Sequence, residues 1–292
     1  MMRLRKLKWL FGGSLCCLIA WILTGYFAAN KVTAPVPFHY RAFHHIDGYP
    51  VQKITVITRD HVKLNVWFSG SNKDSAVIFL HGIHANSVLM LNRAKIYLQK
   101  GYSVLIPDLR ASGMSGGDAV TFGWKERLDL LACVQWLKDK KYRRIGVHGC
   151  SLGAAAIAYS LEEKSDYAFM VMESCYDNID HAFANRTFDS GFNRLLFWPV
   201  FFFTERKTGA TADQLSPLNC VHLYKGPLLY LAGDKEIQIP LEETHAMFQA
   251  FGSSVKQLRI FTGARHVDFQ RFDPELYNKT LTGFLDSIKF LP

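Results

Sequence analysis

The stretch Gly149-Cys150-Ser151-Leu152-Gly153 constrains this chain more than any other. It follows residues 145–148, which read as a buried strand, and precedes the small-residue run 154–161, which reads as a helix. A chain that passes from strand to helix within so few residues needs glycines around the turn, because neighbouring backbone must come close. The apex residue is then strained and its side chain is presented outward. The apex is the third position, so the candidate nucleophile is Ser151, and Cys150 reads as a small buried residue.

The flanking pattern specifies what surrounds this turn. Residues 51–58 and 62–68 alternate about Arg59, Asp60 and His61, which predicts an antiparallel hairpin. Residues 76–80, 103–106, 144–147, 169–173, 228–231 and 257–261 read as strands, mostly as continuous apolar runs. Residues 87–99, 124–138 and 241–251 carry helical spacing. Apolar strands alternating with helices predict an α/β protein with a mostly parallel sheet covered on both faces. The roughly 50 residues between Glu173 and Pro227 exceed an ordinary connection, so a cap insertion is expected at about 176–224, over the sheet's carboxyl edge. Its centre, residues 195–203, is the most aromatic stretch of the chain. That run reads either as a lid that grips an acyl chain or touches a membrane, or as a helix burying its own aromatics.

A serine hydroxyl is a poor nucleophile until a base takes its proton and a carboxylate orients the base, here expected in the order Ser, acid, His. Of the late histidines, His222 lies too close before a strand and His245 sits in a helix-like stretch. His266 falls in the polar loop after residues 257–261, the position a base requires. The strand 228–231 runs into Gly233-Asp234-Lys235-Glu236, so Asp234 and Glu236 are both candidate acids. Upstream, residues 76–80 end in His81-Gly82-Ile83-His84, where a turn can aim the Ile83 amide at an oxyanion. The Leu152 amide, at a helix N-terminus, is the expected second donor. His84 reads either as a substrate-binding residue bordering that hole or as a turn histidine without chemistry.

With these parts the chain resembles the α/β-hydrolase superfamily, in particular membrane-linked hydrolases of the serine-aminopeptidase-like type. The resemblance covers most of residues 51–291. It includes the loop Asp108-Leu109-Arg110-Ala111-Ser112-Gly113-Met114-Ser115-Gly116-Gly117 and the spacing Gly123, Glu126, Asp129. It implies that Ser112 and Ser115 shape a loop. The family's acid loop, G-x-x-D-x-x-x-P, lands on Gly233, Glu236 and Pro240, which implies Glu236 as the acid, with Asp234 as its rival. The implied activity is a serine hydrolase acting on a carboxylic ester or thioester of a small molecule, a lipid or another acylated substrate, without metal or organic cofactor. A serine peptidase or amidase, and a noncatalytic binding protein of the same fold, are the alternatives.

The 34 basic residues exceed the 25 acidic ones by nine, but the excess is uneven. Arg3, Arg5, Lys6, Lys8 and Lys31 lie in a leading segment without acids, leaving 29 basic against 25 acidic residues elsewhere. Such a remainder does not point to nucleic acid. Residues 9–29 carry no charge, and their 21 positions at about 1.5 Å each match a bilayer core of about 30 Å. Residues 1–31 therefore read as a membrane anchor or a signal peptide, residues 32–50 as a tether and residues 51–292 as the hydrolase domain. If the anchor is retained, the basic flank puts the N-terminus in the cytoplasm and the domain on the far side of the membrane; if it is cleaved, the protein is secreted. The six cysteines show no C-x-x-C spacing and no zinc pattern.

Overall fold

A computed structural model of the chain describes residues 2–70, 74–163, 166–187, 194–266 and 268–288. Helix α1 (Met2–Val32) comes first, longer than the uncharged stretch because the basic cluster continues it toward the N-terminus. Strands β1 (Gln52–Ile57) and β2 (Lys63–Ser69) form the expected hairpin, with Gln52 opposite Phe68. Then follow β3 (Ser75–Leu80), α2 (Leu91–Gln99), β4 (Ser103–Pro107), α3 (Glu126–Asp139), β5 (Arg144–Cys150) and α4 (Leu152–Ser160). β6 (Phe169–Glu173) leads into the cap, which contains α5 (Ile179–Thr187) and α6 (Trp198–Thr208). β7 (Leu228–Gly233), α7 (Leu241–Ala250), β8 (Lys256–Phe261), α8 (Phe269–Phe272) and α9 (Pro274–Ser287) complete the chain.

The eight strands form one sheet in the order β8-β7-β6-β5-β3-β4-β2-β1, parallel from β8 to β4 and antiparallel at β2 and β1. This is the expected α/β-hydrolase fold. Period-two alternation divides β3 between two cores. Ala76, Ile78 and Leu80 pack with Leu130, Val134, Ala154 and Met247 of α3, α4 and α7. Val77 and Phe79 face the other way, onto Tyr97, Tyr277 and Phe284 of α2 and α9. Leu80 is in register with Gly149, Cys150 with Glu173, and Gly233 with Phe261. The loops after β3, β5, β6, β7 and β8 therefore emerge at one carboxyl edge, where ligands of open parallel sheets collect.

Residues 32–50, expected as a tether, are attached to the domain instead. Val36–Pro37 pairs in parallel with Ser112–Gly113, and His45–Ile46 pairs with Tyr49–Pro50. Phe43 packs 4.2 Å from Trp67 between ring centroids, and the Tyr40 hydroxyl donates to Asp108 Oδ2 at 2.8 Å. Aromatic side chains give this short segment enough apolar surface to dock, which its prolines and lack of period do not reveal.

Candidate active site

Ser151 sits between β5 and α4 with φ 50° and ψ −109°, a conformation that costs an L-residue on the order of 1–3 kcal/mol. Two bonds hold it there: its amide donates to the Glu173 carbonyl at 2.8 Å, and its carbonyl accepts from the Ala155 amide at 3.0 Å. The flanking glycines permit the turn sterically. A β-carbon on Gly149 would lie 2.7 Å from the Ala154 nitrogen, and one on Gly153 would lie 2.3 Å from the Leu80 carbonyl oxygen.

The imidazole of His266 lies in the loop after β8, with Nδ1 2.8 Å from Glu236 Oε2. Glu236 is 6% exposed, and its other oxygen accepts from Ser174 Oγ at 2.5 Å and from the Gly233 amide at 3.0 Å. Asp234 takes a different part: its Oδ1 accepts from the Gly263 amide at 2.6 Å, tying the β7 and β8 loops together. Ser151 and His266 line one cavity of about 220 Å³ with Gly82, Ile83, Leu89, Met90 and Phe269. Among the described residues no hydrogen bond joins Ser151 Oγ to the imidazole, a contact that commonly tightens in the Michaelis complex. Cys150 also lines the cavity, but burial pushes its thiol pKa up, and it ends β5 before the apex.

The loop after β3 borders the nucleophile. A β-carbon on Gly82 would stand 3.6 Å from that of Ser151, so the Gly82 backbone passes beside the nucleophile's side chain, and Ile83 lines the same cavity. His81 fixes this loop from below. Its Nδ1 bonds the Gly82 carbonyl at 2.8 Å, and its Nε2 accepts from the Leu109 amide at 3.0 Å. Burial lowers its pKa and favours this neutral form. His84, a candidate substrate contact, is exposed at φ 57° and is not among the residues lining this cavity.

The remaining motif residues hold neighbouring loops. Asp108 accepts from the Ser87 amide at 2.8 Å and the Met114 amide at 2.9 Å, while Ser115 Oγ donates to the Asp108 carbonyl at 2.6 Å. Asp129 receives the Arg110 amide at 2.7 Å and its Nε at 2.9 Å; Glu126 receives the Thr121 amide at 2.8 Å and the Gly123 amide at 2.9 Å. The two spacings thus fasten the β4 loop to the first turn of α3.

Sequence reasoning misses Ser174 and a buried cluster behind the nucleophile. Glu173 accepts from Arg93 Nε at 2.9 Å and Nη2 at 2.7 Å, from the Tyr277 hydroxyl at 2.6 Å and from His148 Nε2 at 2.8 Å. Burial opposes its ionisation, yet Arg93 and the hydrogen bonds hold its carboxyl well below the usual range. Arg93 also reaches Asp268 at 3.0 Å, joining the strand behind Ser151 to the loop that carries His266. The available signal was an arginine within an apolar helical stripe.

Two groups of side chains bring ligand atoms within 4.8 Å of one another among the described residues. His148, Cys150 and Glu173 form one, where the Arg93 guanidinium already engages the carboxylate. Asp177, His181 and Glu243 form the other, between the cap and α7.

A parallel sheet with a strained serine at the strand-to-helix turn, beside an imidazole bonded to a buried carboxylate, defines a serine hydrolase of the α/β-hydrolase class. Residues 88–288 match the model of the prolyl oligopeptidase family (Peptidase_S9), and the chain belongs to that family. It is 30% identical over 222 residues to the uncharacterized protein YqkD of Bacillus subtilis (strain 168), covering 73% of this chain and 72% of that one. It is also 30% identical over 162 residues to the uncharacterized membrane protein YNL320W of Saccharomyces cerevisiae, covering 52% and 56%. Among solved structures it is similar to the Pyrococcus furiosus esterase Pf2001, with TM-score 0.72, 28% identity and coverage of 87% of this chain and 98% of that one.

Proposed function

We propose that the protein is a membrane-tethered esterase that works through Ser151, His266 and Glu236. The observation that carries this reading is the bond chain from His266 Nδ1 to Glu236 Oε2, with Ser151 in the same cavity. Glu236 keeps the proton on Nδ1, so Nε2 is free to take the Ser151 proton as Oγ attacks an ester carbonyl. The Ile83 and Leu152 amides bind the oxyanion, and the α4 N-terminus adds favourable potential. His266 returns the proton to the leaving alkoxide or thiolate. Water then enters, gives its proton to His266 and attacks the acyl enzyme, and the same proton restores Ser151. The substrate is a carboxylic ester or thioester. The likeness to Pf2001 supports the ester, and the cavity wall of Ile83, Leu89, Met90 and Phe269 suits an acyl group.

α1 is the anchor in this reading, with the N-terminus cytoplasmic and the domain across the membrane. Residues Gly12–Val32 are long and apolar enough to span, and the basic residues precede them. The family match favours a second reading, a serine peptidase. Two measurements on the full chain in detergent test both readings. A fluorophosphonate should label the parent and not Ser151→Ala; a folded parent that resists labelling removes the catalytic reading. A p-nitrophenyl ester should turn over faster than the matching peptide p-nitroanilide; the reverse order makes the protein a peptidase.

A further inference from the structure

The aromatic run of the cap divides by face. Phe201 is buried among Ile179, Ala212 and Leu215, so part of the run is core of the cap itself. Its other face meets α1. The Trp21 indole N–H donates to the Leu196 carbonyl at 2.7 Å, Trp21 and Trp198 have ring centroids 6.3 Å apart, and Tyr26 packs edge-on to Phe203 at 5.3 Å. Between them a β-carbon on Gly25 would lie 2.4 Å from Pro199 Cβ, so the two helices touch at backbone distance. Leu195 and Leu196 at the tip nevertheless remain 75% and 59% exposed.

The pairings also fix direction. Trp21 meets Trp198 and Tyr26 meets Phe203, so α1 and α6 run the same way. The apolar start of α6 therefore lies beside the middle of the candidate span. Its charged end, Glu205, Arg206 and Lys207, lies toward Lys31 and the end of α1. From Trp21 to Val32 is 11 residues, or about 16 Å of helix, roughly half of a hydrocarbon core of about 30 Å. Arg206 folds back over the Phe202 ring at 4.5 Å, as a cation does when its stem covers apolar surface and its head seeks water. On α1 itself Leu18, one turn before Trp21, is exposed on the side of α6, and Leu23 and Phe27 are exposed elsewhere around the helix.

We infer that the tip of the cap, Leu195, Leu196 and Trp198, is immersed in the acyl region of the bilayer leaflet on the domain's side, alongside the second half of α1. This rests on the reading of α1 as a retained membrane span and extends it from a tether to a two-helix embedded unit. The occupant of the exposed face is phospholipid. The exposed side chains of Leu195, Leu196 and Trp198, continuous with the apolar helix α1, are matched by a leaflet, and the charged end of α6 by the water above it, while Arg194 before the tip is drawn to Asp180 and Asp213. The close fit at Gly25 argues in addition that α1 is kept, because a cleaved leader would strip its partner from α6.

Nitroxide labels test the inference in the full chain reconstituted into phosphatidylcholine vesicles. Cys16 and Cys17 are replaced by alanine, and single cysteines are introduced as Leu195→Cys and Leu196→Cys, both at exposed positions that leave the core intact. Leu18→Cys in the span and Ile57→Cys on the outer strand, 59% exposed, serve as references. The protein without an added cysteine gives the background from Cys150. Labels at 195 and 196 should collide more with dissolved oxygen than with a nickel chelate, as at 18 and opposite to 57. If 195 and 196 follow 57 while 18 stays with lipid, the embedded cap is wrong and the span stands. If 18 is also open to nickel, the span itself fails and the embedded cap with it.

Discussion

Replacing Glu236 by glutamine separates an orienting carboxylate from a merely packed one. The native side chain accepts three bonds, from Ser174 Oγ and the Gly233 amide on one oxygen and from His266 Nδ1 on the other. Glutamine keeps one acceptor. If its NH2 faces Gly233, a buried amide loses its acceptor at a cost of about 1–3 kcal/mol. The carbonyl therefore keeps the Gly233 and Ser174 side, and the NH2 turns to His266. Nδ1 must then accept, which moves the imidazole proton to Nε2, where it faces Ser151 and cannot act as base. The expected loss in kcat is about 10³ to 10⁴, or about 4–5.5 kcal/mol of barrier. The fault lies in the tautomer rather than the charge, so the loss should persist from about pH 6 to about pH 9. The control is Asp234→Asn, which retains Oδ1 for the Gly263 amide and should stay within about threefold of the parent. The assay is p-nitrophenyl acetate hydrolysis by the full chain in detergent, with circular dichroism confirming the fold. Glu236→Gln retaining more than about a tenth of kcat, or Asp234→Asn proving the crippling change, would refute the assignment.

Ser174→Ala removes one donor from the same carboxylate, and such a bond to a charged group contributes about 1.5–3 kcal/mol. We expect kcat to fall about tenfold with KM unchanged; a rise in KM alone would mean that Ser174 touches substrate instead. Asp129→Ala should destabilise the fold by about 3–5 kcal/mol in urea denaturation, since Arg110 is 4% exposed at its side chain and would keep only Asp60. A loss below about 1 kcal/mol would show that this pair does not fasten the β4 loop. Burial pushes Glu243 up to about 7 from its ordinary 4.5, with Asp177 and His181 facing it from the cap. The folded chain thus favours its protonated form, and stability falls as pH rises through about 4.5 to about 7. Glu243→Gln, which keeps an oxygen for Asn185, should melt with the parent at about pH 5 and above it at about pH 8; equal melting at both would remove the titration from this site.

The elements of the sheet and its helices were legible because apolar period depends on which face of each element is covered. β3 illustrates this, with Ala76, Ile78 and Leu80 on one core and Val77 and Phe79 on the other. Residues 32–50 were not legible, since their docking depends on Trp67 and Asp108, supplied from elsewhere in the chain. Ser174 and Arg93 were hidden for the same reason. A serine after a strand has no local mark of function, an arginine in an apolar helical stripe signals only that it is buried, and each acquires a role only through a partner some 60 to 80 residues away.

The choice between two acids only two residues apart shows how far local geometry reaches. β7 ends at Gly233, in register with Phe261, which sets the height at which both loops leave the sheet. Asp234 is the first residue beyond that end. From there its carboxylate meets the backbone of the neighbouring turn at Gly263, three residues short of the imidazole. Glu236 comes after the chain has turned back, so one oxygen accepts from the Gly233 amide three residues earlier and the other reaches His266. The turn-back bond shifts the starting point of the side chain, and the extra methylene of glutamate spans what remains. In the proposed triad, spacing from the strand end thus favours Glu236, whereas residue type, with aspartate the more usual in this role, favours Asp234.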